Sequence, residues 1–214
     1  MTIIDKTILF VKQQLQDAEG GHDWFHIERV YKNAVLIAQE EVCDVTVVKL
    51  GALLHDIADS KFHDGDEEIG PITARKFLES ENVSEEITEH VIQIIKNISF
   101  KGGNFQKQFT SKELEIVQDA DRLDALGAIG IARAFNYGGF KNRALYNPNI
   151  APKLNMSKEE YKTSDSPSLN HFYEKLLLLK DKMNTETGKK IAQERHRFME
   201  IFLSQFYAEW EGEK

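Results

Sequence analysis

The chain has 214 residues, of which 41% are hydrophobic and 29% are charged, and its formal net charge at pH 7 is −8. This composition is ordinary for a globular protein with a sizeable core, so we expect a single domain over residues 1–214. The acidic balance argues against a broad surface for nucleic-acid polymers, because phosphate backbones select basic surfaces. A local cluster of Lys and Arg could still bind a small phosphorylated substrate.

The single cysteine, Cys43, excludes internal disulfides and a zinc site built from cysteines. The amino-terminal apolar run is interrupted by Asp5, Lys6 and Lys12, so it predicts an amphipathic helix rather than a signal peptide. No stretch reaches the roughly 18 apolar residues of a membrane span. We therefore expect a cytoplasmic protein with no membrane partner, and the sequence leaves both a monomer and a homodimer open.

Helical periodicity covers most of the chain, and no strand pattern persists, so the sequence predicts an all-α fold. Residues 138–167 differ because they contain Gly, Pro and Asn without a sustained period, which predicts an extended loop that could act as a lid. We expect helices at Ile3–Asp17, Trp24–Ala38, within Val47–His63, and at Glu68–Glu79, Ser84–Ile98, Lys112–Leu126, Ser168–Lys182 and Thr187–Trp210.

The helix within Val47–His63 is apolar on all sides in its first half and then carries His55 and Asp56 side by side. A helix that is apolar all round is buried, and buried ionisable groups are costly unless they pair or bind a metal ion. The dipeptide His-Asp also occurs at 22–23 and 63–64, where helix capping and a solvated loop are sufficient explanations. The sequence therefore favours a metal site at the end of the buried helix.

A second histidine, His26, lies near the start of the preceding predicted helix. A short turn near Asp44 should make the two helices antiparallel neighbours, so His26 and His55 should lie at the same end of the pair. The acidic run at 118–127 offers a further oxygen ligand, and spacing alone does not choose among Asp119, Asp121 and Asp124.

Four blocks of sequence, HDWFHIERV, GALLHDIADSK, VIQIIKNISFKG and IVQDADRLDALGAIGIARAF, together cover about residues 20–140. In this order they resemble the HD-domain metal-dependent phosphohydrolases, and most closely the small bacterial HD-domain nucleotide pyrophosphohydrolases. The resemblance implies an HD-domain helical bundle, with the loop at 138–167 and two additional C-terminal helices at 168–211. It also implies that His26, His55, Asp56 and Asp121 bind one divalent metal ion.

Two imidazoles and two carboxylates suit Mn²⁺ or Mg²⁺, with Fe²⁺ as a third candidate. Asn97 stands where some relatives have a histidine for a second metal, which favours a mononuclear site. The resemblance implies hydrolysis of nucleoside triphosphates to a nucleoside monophosphate and pyrophosphate by a metal-activated water. Two alternatives stay open: a nucleotide phosphomonoesterase of the 5′-nucleotidase type, and a nucleotide-sensing HD module without catalysis.

The catalytic candidates are Asp56, as a metal ligand, and Asp59, which could orient or deprotonate the water, as could Glu67 or Glu68. The general base is left unassigned among these groups. Arg29 and Arg122 could equally be structural partners of the acidic ligands. The candidate cations for the substrate phosphates are Arg29, Lys61, Lys96, Lys101 and Arg122.

Two further groups of side chains have simpler explanations. His90, His171 and His196 have polar neighbours on predicted helices, so we expect them at the surface. Phe135, Tyr137 and Phe140 border the long loop and could stack on a nucleobase, although core packing is the simpler expectation.

Overall fold

A computed structural model describes residues 1–16, 23–57, 68–98, 109–154, 156, 160 and 165–214. Every regular element in these ranges is a helix, which confirms the all-α class. The chain divides into two compact units, Met1–Asp121 and Arg122–Lys214. None of the helices in the described ranges is long and apolar enough to cross a membrane.

The first unit is built from six helices within the described residues, and α6 ends just beyond its boundary. Five of them begin after a residue whose side chain accepts a hydrogen bond from the first turn: Thr2, Asp23, Asp44, Ser84 and Ser111. Such caps satisfy amide groups that have no partner inside the helix. The helices are α1 (Ile3–Gln14), α2 (Trp24–Ala38), α3 (Val45–Leu54), α4 (Ile69–Ser80), α5 (Glu85–Asn97) and α6 (Lys112–Leu123).

Helix α3 forms the centre of this unit, as its apolar sequence predicts. Leu50, Leu53 and Leu54 are fully buried, and the helix packs against α1, α2 and α5. A Cβ atom at Gly51 would lie only 3.1 Å from Ile94 Cδ1 and 3.5 Å from Val117 Cγ2. The glycine therefore lets α5 and α6 approach the end of α3 that leads to His55.

In the second unit, α7 (Gly127–Phe140) covers the small-residue stretch and continues into the segment expected to be loop. A Cβ atom at Gly138 would come within 1.9 Å of Ser168 Oγ, so the glycine permits a close contact that a larger residue would prevent. The lack of a side chain here reflects packing rather than the end of the helix. Gly127 has a φ of +69°, a conformation that L-residues rarely adopt, at the sharp turn that precedes α7.

The predicted helix Ser168–Lys182 is wrong as one element, because it is interrupted at Lys175, where φ is −144° and ψ is −57°. Its two parts are α8 (Asn170–Glu174) and a 3₁₀ helix (Leu176–Lys182). The last predicted helix is confirmed as α9 (Glu186–Trp210). Aromatic rings form the core beneath it, with Phe135, Phe172 and Phe202 separated pairwise by 5.8–5.9 Å between ring centroids.

Candidate metal centre

The histidines predicted as metal ligands are placed by the ends of two helices. Asp23 caps α2 by accepting a hydrogen bond of 2.9 Å from the His26 amide, which fixes His26 in the first turn. His55 directly follows the last residue of α3. The start of α2 and the end of α3 lie together, and the two imidazole rings are 5.4 Å apart between centroids. The pairing expected from antiparallel helices is therefore found.

Two carboxylates lie beside this imidazole pair. One ligand atom each from His26, His55 and Asp56 lies within 4.8 Å of the others. Asp121 Oδ1 is 3.6 Å from His26 Nε2 and 4.0 Å from His55 Nε2. Both imidazoles have side chains that are only 4% exposed, whereas Asp121 is 41% exposed. His26, His55 and Asp56 thus form a compact cluster, and Asp121 lies beside its two buried imidazoles on a more accessible side.

The orientation of the His55 ring is set by the backbone of its own helix. His55 Nδ1 lies 2.9 Å from the carbonyl oxygen of Ala52. A carbonyl only accepts hydrogen bonds, so Nδ1 carries the proton and donates it. The other ring nitrogen, Nε2, then faces Asp121 at 4.0 Å. A backbone carbonyl in this role is a common feature of histidines that bind metals.

The donor set fits a divalent ion of intermediate hardness. Imidazole nitrogen and carboxylate oxygen together suit Mn²⁺, Fe²⁺ and related ions, while the carboxylates also suit Mg²⁺. Neighbouring ligands of an octahedral ion lie about 3 Å apart when each bond is about 2.1 Å long. The separations of 3.6 and 4.0 Å between Asp121 and the two imidazoles are near this value. Small side-chain adjustments would bring the atoms to bonding distance.

The other two aspartates of the acidic run have different surroundings. Asp119 is fully buried. Asp124 is 1% exposed and accepts a hydrogen bond of 2.5 Å from Arg133 Nη1. Arg133 also donates to the backbone carbonyl of Asp124, at 3.2 Å. These contacts give Asp124 a structural partner in Arg133.

The predicted substrate-binding cations are only partly described. Lys96 forms an ion pair of 3.0 Å with Glu68, at the start of α4. Arg29 lies one turn after His26 on α2, and Arg122 follows Asp121 on α6; both side chains are half-buried. Asp59, Lys61, Glu67 and Lys101 lie outside the described residues.

The sequence places Asn33 on one stripe of α2 with His26 and Arg29, without indicating what its side chain contacts. Asn33 is 8% exposed, and its side chain donates a hydrogen bond of 3.3 Å to the carbonyl oxygen of Ala120. Ala120 directly precedes Asp121, so this bond ties α6 to α2 beside the carboxylate. Asn33 lies two turns after His26 on the same stripe of α2, and that shared spacing is the signal in the sequence.

The remaining histidines and aromatic residues depart in part from expectation. His196 is 5% exposed and His171 is partly buried, so neither is a surface residue. Burial, with Lys175 and Arg143 nearby, lowers the pKa of His171 to about 4. Phe135 lies among the core rings, whereas Tyr137 and Phe140 are 51% and 68% exposed.

Known proteins resemble this chain over nearly its whole length. The HD domain profile matches residues 24–126. The Bacillus subtilis protein YpgQ is 39% identical over 197 residues, which are 92% of this chain and 88% of YpgQ.

Two solved structures add to this comparison. A crystal structure of an HD-superfamily hydrolase from Bacillus thuringiensis is 47% identical, with a TM-score of 0.79 over 97% of this chain and 96% of that one. The crystal structure of YpgQ in complex with ADP has a TM-score of 0.77 and covers 96% of this chain and 94% of its own. This chain belongs to the HD-domain superfamily of hydrolases.

Proposed function

We propose that this protein hydrolyses nucleoside triphosphates to a nucleoside monophosphate and pyrophosphate, with His26, His55, Asp56 and Asp121 holding one divalent ion, Mn²⁺ or Mg²⁺. The observation that carries the proposal is the group of His26, His55 and Asp56, whose ligand atoms lie within 4.8 Å of one another. Asp121 Oδ1 lies beside it, 3.6 and 4.0 Å from the two imidazoles. The complex of YpgQ with ADP supports a nucleotide as the ligand, because YpgQ is a relative over nearly the whole chain.

The reaction adds one water molecule across the anhydride between the α and β phosphorus atoms and releases pyrophosphate. A divalent ion in such a site polarises a phosphoryl oxygen and lowers the pKa of bound water. The chain orients the His55 ring through the Ala52 carbonyl, which keeps Nε2 directed at the cluster. The Asp23 cap fixes the backbone of His26 in the first turn of α2.

The substrate phosphates need cations, and Arg29 is a described candidate on the same helix as a proposed ligand. It lies one turn after His26, on the helix whose capped start forms one side of the cluster. Lys96, Lys101, Lys61 and Arg122 remain candidates. Glu68 forms an ion pair of 3.0 Å with Lys96. It is the one carboxylate within the described residues among the three proposed to accept a proton from water. Asp59 and Glu67 complete that group.

The test is analysis of phosphate products from the full chain with Mn²⁺ over a panel of nucleoside tri-, di- and monophosphates. We expect pyrophosphate from triphosphates, and a loss of at least a hundredfold in the Asp121→Ala variant. The matched control is Asp181→Ala, which removes an exposed carboxylate of the second unit and should retain full activity. Orthophosphate from monophosphates would replace the proposal with the phosphomonoesterase. Metal binding without turnover of any nucleotide would replace it with the sensing module.

A further inference from the structure

Phe25 lies in the first turn of α2, directly before the proposed ligand His26, and its side chain is 62% exposed. The adjacent ring of Trp24 is half-buried, with the Lys12 ammonium 4.6 Å from the ring centroid. A single exposed apolar residue is normal on a protein surface. An exposed aromatic ring one residue away from a candidate metal centre is more informative, because a substrate bound at that centre would lie within its reach.

His26, Arg29 and Phe25 follow one another around one side of α2. At about 3.6 residues per turn, Arg29 is rotated about 60° from His26, and Phe25 is rotated about 40° further. Phe25 and Arg29 are also one turn apart along the helix, which makes their side chains neighbours. Exposure rises in the same order: His26 is 3% exposed, Arg29 is half-buried and Phe25 is 62% exposed. The helix thus presents an imidazole, a guanidinium and an aromatic ring in order from the buried cluster towards solvent.

Contacts on both sides of Phe25 fix the rotation of this helix start. The His26 amide donates to the Asp23 side chain at 2.9 Å and to the Asp23 carbonyl at 3.1 Å. The Ile27 amide donates to the same carbonyl at 3.3 Å, and the Ile27 side chain is fully buried. The Phe25 ring is therefore held at the surface in the free protein. A group that is already in place binds a ligand at a lower entropic cost.

We propose that Phe25 is the surface on which the nucleobase of the substrate stacks, and that Arg29 binds the phosphates between that base and the metal centre. Both roles rest on the proposed function, since they require a nucleoside triphosphate as substrate. Such a substrate carries its negative charge at one end and a planar aromatic base at the other, which matches the order of groups around α2. A guanidinium binds phosphate oxygens through parallel hydrogen bonds, and aromatic side chains stack on bases.

A Phe ring as the stacking surface also predicts which substrates are accepted. Every base has a π-face, whereas Phe has no group that can form hydrogen bonds with the edge of a base. Stacking on one aromatic ring changes affinity by about five- to a hundredfold. We therefore expect Phe25 to favour a nucleoside triphosphate over inorganic triphosphate, and to contribute little to the choice among bases with the same ring system.

The experiment is calorimetric titration of the full chain, with Mn²⁺ present, with α,β-methylene-ATP and with inorganic tripolyphosphate. The methylene group replaces the oxygen of the bond that the proposed reaction cleaves, so binding is measured without turnover. Phe25→Leu should weaken binding of the nucleotide analogue by at least about fivefold and leave tripolyphosphate affinity unchanged. Phe25→Tyr should retain both affinities, and Arg29→Gln should weaken both. Phe140→Leu is the matched control: it removes a ring that is 68% exposed on α7, and it should change neither affinity.

Three outcomes would overturn the role of Phe25. They are equal affinity of the wild type and Phe25→Leu for the analogue, an equal loss for both ligands in Phe25→Leu, and a selective loss of the analogue in Phe140→Leu, which would assign the base to that ring. Each of them leaves the proposed hydrolysis intact, since product analysis tests that reaction separately. If no nucleotide is hydrolysed but Phe25→Leu selectively loses affinity for the analogue, the stacking role of Phe25 stands and belongs to a nucleotide-sensing module.

Discussion

The buried amide of Asn33 gives a direct test of how the candidate centre is held together. Replacing Asn33 by Leu keeps a similar volume but removes the donor of the 3.3 Å hydrogen bond to the Ala120 carbonyl. Ala120 is fully buried, so water does not replace the lost donor. We expect the free energy of unfolding to fall by about 1–3 kcal/mol. Because Asp121 follows Ala120, we also expect Mn²⁺ affinity to fall by at least about tenfold.

Two measurements separate these effects. Urea denaturation in the presence of EDTA reports the free energy of unfolding without metal, and calorimetric titration with Mn²⁺ reports affinity under conditions in which the protein is folded. The matched control is Asn170→Leu, since Asn170 is 2% exposed and donates a hydrogen bond of 2.9 Å to the Ile150 carbonyl within the second unit. It should lose stability without losing metal affinity. Equal loss of affinity in both variants, or none in Asn33→Leu, would refute a positioning role for Asn33.

Two further predictions concern buried charge in the second unit. Arg133→Met removes the guanidinium that donates to the Asp124 carboxylate, which is 1% exposed, and should lower the free energy of unfolding by about 1.5–3 kcal/mol in urea denaturation, with a smaller loss for Arg133→Lys. The pKa of His171 is about 4 in the folded chain, against 6.5 ordinarily, so the unfolded chain binds the proton first. Stability should therefore fall by up to about 3 kcal/mol as the pH drops from about 6.5 to about 4. His171→Gln should flatten this part of the stability profile, and an unchanged slope would contradict the assigned cause.

Local sequence signals were sufficient to predict the helices around the candidate centre. Asp23 accepts a hydrogen bond from the His26 amide, as its place before an apolar periodic segment predicts. A short connection forces α2 and α3 to run antiparallel, which brings His26 and His55 together. Each of these inferences depends on neighbours within a few residues or on one tight turn, where the physical constraints are strong.

The features that could not be predicted depend on contacts between residues far apart in sequence. His171 resembles a surface residue in its local sequence, yet it lies partly buried near Arg143. Gly138 lies where the sequence predicts a loop, yet α7 continues to Phe140, and Ser168 occupies the space that a side chain at Gly138 would fill. Neither Gly nor Pro lies next to Lys175, so the sequence does not indicate the break in the helix there. Periodicity carries no information about such partners.

The acidic run of α6 shows how a helix can give neighbouring carboxylates separate roles. Asp119 and Asp124 are almost completely inaccessible, so any ion reaching them would have to displace packed side chains. Asp124 moreover already neutralises a guanidinium. Asp121 is the accessible one, and its Oδ1 faces two imidazole nitrogens on the buried side. A side chain that binds an ion must be accessible to that ion and must also lie close to the other ligand atoms. Among these three aspartates both conditions meet at Asp121, which is why we propose it, rather than its neighbours, as the fourth ligand.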